Sequence, residues 1–349
     1  PANRLLAMRR LSHLARAFGA QPVQLRSMAT SSSAIPERMH PLRYQFDVHG
    51  FVVLRGLLSN PEVGDLNSAV DANEPRFKER PADLRNSKLS SFQGDGVTGR
   101  KDAGDMLMWD KPHCDPFRSL LAHPSLVPLL NMILGDGYRL DHLPLLIRQR
   151  KGAEGFDFHG GAIGAEGGFN DEIEYKVAPG PGGEPRIMNK LVNVAFALTD
   201  TNPGDGGFVV YPGSHKAHFP MPEKVANLEE GFAEFAHTPV LEAGDVVVFS
   251  EATAHGALPW SGEQERRSLF FRFSPATSAY GRGYGDIFSK SLLEDLTPAQ
   301  AAVLQPPFHT RLDRPVLRSN GTTVKAIVGS PRADEKKDFD KEVFGAEYF

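Results

Sequence analysis

The sequence predicts a mainly β fold with flanking helices (α+β), built as a double-stranded β-helix, the cupin-like jelly roll. Between about residues 138 and 275, short apolar runs alternate with clusters of Gly, Pro, Asn and Asp. This pattern is typical of short strands joined by turns. A parallel sheet would need crossover helices between its strands, so the pattern by itself favours an antiparallel sandwich or jelly roll.

The chain before this series predicts one strand and two helical regions. "FVVL" at 51–54 predicts the strand, and apolar residues at helical spacing predict a helix that begins near Asn60. The region from about 75 to 112 is polar and weakly periodic, and is predicted to be a long loop or lid. The following "DPFRSLLAHPSLVPLLNMILGDG" predicts a helix with Asp115 as N-cap and Gly135 as a stop.

Six segments predict the strands of the jelly roll. They read "YRLDHLPLLIRQR", "GFDFHGG", "LVNVAFALTD", "GGFVVYPGSH", "DVVVFSEATAH" and "RRSLFFRFSP". A glycine-rich insert, Ala165 to Met188, separates the second and third segments and is expected to be a lid or a disordered surface loop. After the series, "TPAQAAVL" predicts a helix and "RADEKKDFDKEVFG" a mobile charged tail.

These elements predict three regions. Residues 1–36 form a leader, 40–290 the β-helix domain, and 291–349 a C-terminal helix and charged tail. The leader carries several arginines and no acidic residue, which is typical of an organelle transit peptide. We therefore expect an organellar, mitochondrial location, with plastid and cytoplasmic locations as alternatives; a disordered tail is the other interpretation of the leader.

Composition excludes several classes of protein and of site. The formal net charge of −4 gives no broad basic face for nucleic acid. The single cysteine, Cys114, excludes an intramolecular disulfide and a thiolate zinc site, so nitrogen and oxygen atoms must bind any metal. No apolar run is long enough to span a bilayer. The sequence predicts a small-molecule partner and specifies no oligomeric state.

Two histidines have positions suited to a metal site in an open barrel mouth. His159 closes one predicted strand and His255 closes another. An arginine, Arg266, opens the strand after His255, where its planar guanidinium can bind a carboxylate. Arg267 is expected to point to the opposite face of that strand.

From about Phe46 to Pro275, the chain resembles the phytanoyl-CoA dioxygenase family, which are jelly-roll oxygenases dependent on Fe(II) and 2-oxoglutarate. The resemblance rests on "HGFVVLRGLL", "ALTDTNPGDGGFVVYPGSHK", "LEAGDVVVF", and a histidine followed eleven residues later by "RRSL". It implies iron at His159 and His255 and the 2-oxoglutarate carboxylate on Arg266, with Asn193 and Phe196 lining the cosubstrate pocket. Ascorbate is a further candidate cofactor.

The chain departs from the family at one point. The family's first motif is His-x-Asp, and here the carboxylate position is Gly161, so the triad of two histidines and one carboxylate is incomplete. A substitute carboxylate is one explanation: Asp157 and Glu251 each fall on the strand face of a histidine. Chloride is the second, since related iron halogenases have Gly or Ala at this position. Water as third ligand and loss of catalysis are the others.

The sequence therefore predicts a 2-oxoglutarate-dependent dioxygenase that hydroxylates an unactivated C–H bond of a small metabolite or acyl substrate. The alternatives are a 2-oxoglutarate-dependent halogenase that uses chloride, and a non-catalytic jelly-roll binding protein.

Overall fold

The computed structural model describes residues 39–81, 90–163, 170, 173–180, 183–281, 288–307, 314–329 and 334–345. The predicted leader, residues 1–36, lies outside these ranges, so its transit function stays a prediction. Within the described residues the strands are β1 Phe51–Leu54, β2 Lys78–Glu79, β3 Lys101–Ala103, β4 Arg139–Gln149, β5 Phe156–His159, β6 Tyr175–Pro179, β7 Pro185–Asn189, β8 Val192–Ala197, β9 Gly207–Val210, β10 Val246–Ser250, β11 His255–Leu258, β12 Arg266–Ser274, β13 Arg314–Ser319 and β14 Val324–Gly329.

Two antiparallel sheets form the β-helix. The larger has the order β1-β10-β8-β12-β4-β3-β2, and the smaller has the order β5-β11-β9. Two separate hairpins, β6–β7 and β13–β14, add to them. Apart from the consecutive strands β2, β3 and β4, neighbours in both sheets are distant in the sequence, as expected for a jelly roll, and the predicted fold class is confirmed.

The helices flank the larger sheet. Those described are α1 His40–His49, α2 Asn60–Ala72, α3 Asp115–Leu120, α4 Val127–Leu134, α5 Glu223–Ala226, α6 Lys290–Asp295, α7 Pro298–Val303 and α8 Asp334–Phe344. Helix α2 begins where the sequence predicts it, because Ser59 and Glu62 form a capping box on either side of Pro61.

The larger sheet is buried on both faces, which explains its continuous apolar runs. One face packs against helices, with Phe196, Val248 and Phe271 in the main core. The other face packs against the smaller sheet, where Ala195 and Phe249 meet Phe208. Apolar side chains therefore fill much of the space between the two sheets.

Four sequence predictions differ from the structure. The loop predicted at 75–112 contains strands β2 and β3, which pair with each other and join the larger sheet at β4. The described part of the insert from 165 to 188 contributes the hairpin β6–β7, because "YKVAP" and "PRIMN" pair in register. Asp115 is the first residue of α3 rather than its N-cap, which is Cys114, and Leu121 ends that helix before α4 begins. The predicted charged tail contains helix α8.

No helix among the described residues is both long enough and apolar enough to cross a bilayer.

Candidate metal centre and cosubstrate pocket

His159 and His255 are brought together by strand pairing. They are direct cross-strand partners in the antiparallel pair β5–β11, and their ring centroids are 4.1 Å apart. His159 ends its strand as predicted. His255 begins β11 instead of ending the preceding strand, because β10 stops at Ser250 and a short turn follows. The two imidazoles therefore face each other from adjacent strands of the smaller sheet.

The tautomer of each imidazole is fixed by a backbone oxygen. The Nδ1 atom of His159 lies 3.0 Å from the carbonyl oxygen of Asp157, and Nδ1 of His255 lies 2.7 Å from that of Thr253. A carbonyl oxygen can only accept, so both Nδ1 atoms carry the proton and donate it. Each Nε2 atom is left with its lone pair, which is the arrangement that a metal-binding histidine requires.

Glu251 provides a carboxylate beside the two imidazoles. It lies in the turn between β10 and β11, and its Oε2 atom is 3.5 Å from Nε2 of His255. Its other oxygen, Oε1, accepts hydrogen bonds from Arg272 Nε at 3.0 Å and Asn193 Nδ2 at 3.1 Å. The ligand atoms of Glu251 and the two histidines all lie within 4.8 Å of one another.

The charges of this cluster suit a divalent metal. Burial lowers the pKa of His255 to about 3, and burial also lowers the pKa of His159. Burial alone would raise the pKa of Glu251, but its interactions with His255, Arg272 and His159 hold it well below its usual range. Near neutral pH the site therefore has two neutral imidazoles and one carboxylate, the donor set of non-haem Fe(II) sites.

Two glycines after His159 direct the chain away from the strand. Both have left-handed backbones, with φ of +81° at Gly160 and +99° at Gly161. A Cβ atom on Gly160 would lie 2.4 Å from the backbone oxygen of Glu251, so the close approach of β5 to the Glu251 turn requires glycine there. Because β5 has ended, position 161 no longer shares a face with His159.

A cavity of about 100 Å³ extends from the histidines to Arg266. Arg266 is 5% exposed and donates to the side-chain oxygen of Gln149, whose amide nitrogen donates to the backbone oxygen of Glu154 at 2.7 Å. Burial, and then the nearby Arg100, lower the pKa of Arg266 to about 10, so it remains a cation at neutral pH. No carboxylate within the described residues pairs with it, and the cavity can receive one.

Asn193 and Phe196, both predicted to line the cosubstrate pocket, lie on different faces of β8. Asn193 lines the cavity as predicted. The prediction for Phe196 is wrong: its ring is fully buried on the other face of the larger sheet, 5.7 Å from the ring of Phe271. Strand β8 places residues an odd number of positions apart on opposite faces, so these two could not both line one pocket.

Asp157 and Arg267 fall outside the cluster. The carboxylate of Asp157 is not among the grouped ligand atoms, and its backbone oxygen orients His159 instead. Arg267 lies on the opposite face from Arg266, as predicted, and pairs with Glu265 and Asp71.

Sequence reasoning missed Gln149, Arg100 and Arg272, which all line the cavity. Arg272 had a usable signal, since it lies an even number of residues after Arg266 on the same strand and therefore on its face. The other two reach the cavity from β4 and from just before β3, and only the sheet register places them there.

This fold and this site define the class of Fe(II)- and 2-oxoglutarate-dependent oxygenases. The family model of phytanoyl-CoA dioxygenase (PhyH) matches residues 46–268, and the chain belongs to that family. The match begins at Phe46, where the resemblance begins, and ends shortly before Pro275.

A curated relative and two solved structures extend the comparison. Dioxygenase lolE1 of Epichloe uncinata is 29% identical over 112 residues, which are 29% of this chain and 43% of that protein, so the matched stretch spans less than half of the relative. HygX of Streptomyces hygroscopicus with nickel, 2-oxoglutarate and hygromycin B is 21% identical with a TM-score of 0.55, covering 72% of this chain and 93% of that chain. HygX with iron has a TM-score of 0.53 at 21% identity, covering 72% and 92%. At this identity the likeness to HygX shows the shared fold.

Proposed function

We propose that this protein is an Fe(II)- and 2-oxoglutarate-dependent hydroxylase that acts on an unactivated C–H bond of a small metabolite or acyl substrate. Iron would be bound by Nε2 of His159, Nε2 of His255 and Oε2 of Glu251. One observation carries the proposal: these three ligand atoms converge within 4.8 Å beside a cavity that ends at a buried cation, Arg266.

Bound iron with 2-oxoglutarate and oxygen supplies the oxidising power for attack on a C–H bond. The chain's own residues position the reactants. Thr253 and Asp157 fix the imidazole tautomers through their backbone oxygens. Arg266 provides donors for the distal carboxylate of the cosubstrate, and Gln149 orients that guanidinium by accepting a hydrogen bond from its Nη1 atom. Phe208, Phe249 and Phe270 line the cavity with apolar surface, which excludes water from the reacting groups.

Glu251 supports hydroxylation over halogenation. Chloride would be needed at the metal if no carboxylate were available, but the carboxylate of Glu251 lies 3.5 Å from His255 Nε2. Three protein ligands leave open positions for cosubstrate and oxygen. An anionic Glu251 beside the histidines would also repel a chloride ion from the same place.

Anaerobic addition of Fe(II) and 2-oxoglutarate tests the proposal through the visible metal-to-ligand charge-transfer band, recorded with and without chloride. We expect a band that saturates with 2-oxoglutarate and does not change with chloride. A chloride-dependent shift would favour the halogenase. A folded protein that gives no band at saturating iron would leave only the non-catalytic binding protein.

A further inference from the structure

Arg272 has donor groups that the metal centre does not use. It lies on the same face of β12 as Arg266 and lines the same cavity. Its Nε atom donates to Oε1 of Glu251 at 3.0 Å. Its two terminal nitrogens, Nη1 and Nη2, make no hydrogen bond with any other residue that the structure describes, and 26% of the side chain is exposed. The planar end of the guanidinium is therefore open to the cavity.

Polar residues flank Arg272 on both neighbouring strands. Asn193 on β8 and His142 on β4 are its cross-strand partners, and Asn193 lines the cavity together with Arg272. The side-chain oxygen of Asn193 is buried and accepts no hydrogen bond within the described chain. The side chain of His142 is 31% exposed, and its Nδ1 lies 3.1 Å from Asp141. Asn193 therefore adds an unused polar atom to the cavity wall beside Arg272.

The two terminal nitrogens of a fixed guanidinium can each donate a hydrogen bond to one oxygen of a carboxylate. Glu251 cannot fill this role, because it contacts only Nε and, in the proposed function, shares its charge with the metal. We propose that Arg272 is a second carboxylate receptor of the cavity, in contact through Nη1 and Nη2 with an acid bound beside the metal. The inference rests on the proposed function. Either the organic substrate, which would then be a carboxylic acid, or the keto-acid end of 2-oxoglutarate can supply the carboxylate.

Acetate is the probe that tests whether the organic substrate supplies the carboxylate bound by Arg272. Saturation-transfer NMR of its methyl protons is recorded with the Zn(II)-loaded protein at saturating 2-oxoglutarate, which occupies Arg266, and acetamide serves as the uncharged reference. We expect acetate but not acetamide to bind the wild type, and Arg272→Gln to weaken acetate binding about 10-fold or more. Arg272→Lys should retain part of it. Arg267→Gln is the matched control, since Arg267 lies on the opposite face and should leave binding unchanged.

The affinity for 2-oxoglutarate tests the other source. If the carboxylate at the keto-acid end of 2-oxoglutarate contacts Arg272, acetate will not bind at saturating 2-oxoglutarate. Arg272→Gln will then weaken the binding of 2-oxoglutarate about 10-fold. Asn193→Ala controls for an indirect effect, because it removes the other hydrogen bond to Glu251 and leaves Arg272 in place. Unchanged affinity in Arg272→Gln, together with no acetate binding, overturns the inference. A wild type that gives no charge-transfer band but binds acetate through Arg272 refutes the proposed function alone.

Discussion

Replacing Glu251 by glutamine tests the metal centre most directly. Glutamine keeps the size of the side chain, and its amide oxygen can still accept from Arg272 and Asn193, but the negative charge and the strong ligand atom are lost. Outer ligand partners contribute about 10–100-fold to metal affinity, so loss of an inner ligand should exceed that range. We expect at least about 100-fold weaker binding of Fe(II), which is about 2.8 kcal/mol. The half-buried cation of Arg272, left without its counter-ion, adds repulsion in the same direction.

The assay is an anaerobic titration of the metal-free protein with Fe(II), and with Co(II) as an oxygen-stable reporter. Glu265→Gln is the matched control, because that carboxylate pairs with Arg148 and Arg267 away from the histidines. Glu251→Ala gives a second test, since formate should restore part of the lost metal affinity by supplying a carboxylate. Metal binding by Glu251→Gln within about 3-fold of the wild type would refute the assignment of Glu251 as the third ligand.

Three further outcomes follow from the geometry. Gly160→Ala places a Cβ atom 2.4 Å from the backbone oxygen of Glu251 and should lower the free energy of unfolding, measured in urea, by about 3 kcal/mol. In Gly161→Ala the nearest neighbour of the new Cβ atom is 3.7 Å away, so this variant should lose only the backbone strain of about 1–2 kcal/mol. Equal losses in the two variants would contradict this reasoning. Arg266→Gln should weaken the binding of 2-oxoglutarate about 10–100-fold, measured by titration of the visible band, and should leave Fe(II) binding unchanged. Loss of both 2-oxoglutarate binding and Fe(II) binding would indicate a folding defect instead. Burial lowers the pKa of His215 from 6.5 to about 4, so the folded state binds this proton less well than the unfolded state, and stability is lost as the pH falls from about 6.5 towards 4. We expect the free energy of unfolding, measured in urea, to fall by about 2 kcal/mol between pH 7.5 and pH 5. His215→Asn should remove that part of the pH dependence of stability.

The strands of the jelly roll were predictable because their signal is local. Apolar runs bounded by turn residues identify β4, β8, β10 and β12, and the structure places strands within each segment. The hairpin β6–β7 and helix α8 were missed for physical reasons. The hairpin is mostly exposed or half-buried and has no apolar run, and α8 carries charge around most of its surface, so neither shows a strong periodic signal.

The positions of the histidines and Arg266 were predictable from motif order, but the sequence left Glu251 and Asp157 as alternatives for the carboxylate beside the histidines. The sequence argument placed Glu251 on the strand face of His255, and the structure shows that no strand joins them, because the turn after Ser250 lies between. Glu251 reaches the histidines because that turn reverses the chain and because Arg272 and Asn193 hold one of its oxygens. The contact with Arg272 joins residues that are distant in sequence, and spacing alone does not reveal it.

The two glycines after His159 and the carboxylate at 251 are parts of one arrangement. A ligand at position 161 requires β5 to continue two residues past His159, so that both side chains share a face. Here the strand ends at His159, and Gly160 lies against the backbone of the Glu251 turn, where a side chain would collide. The turn that carries Glu251 occupies the space that a side chain at position 160 would need. An aspartate at 161 would therefore have to adopt a left-handed backbone off the strand, whereas the carboxylate of Glu251 already lies beside the two histidines.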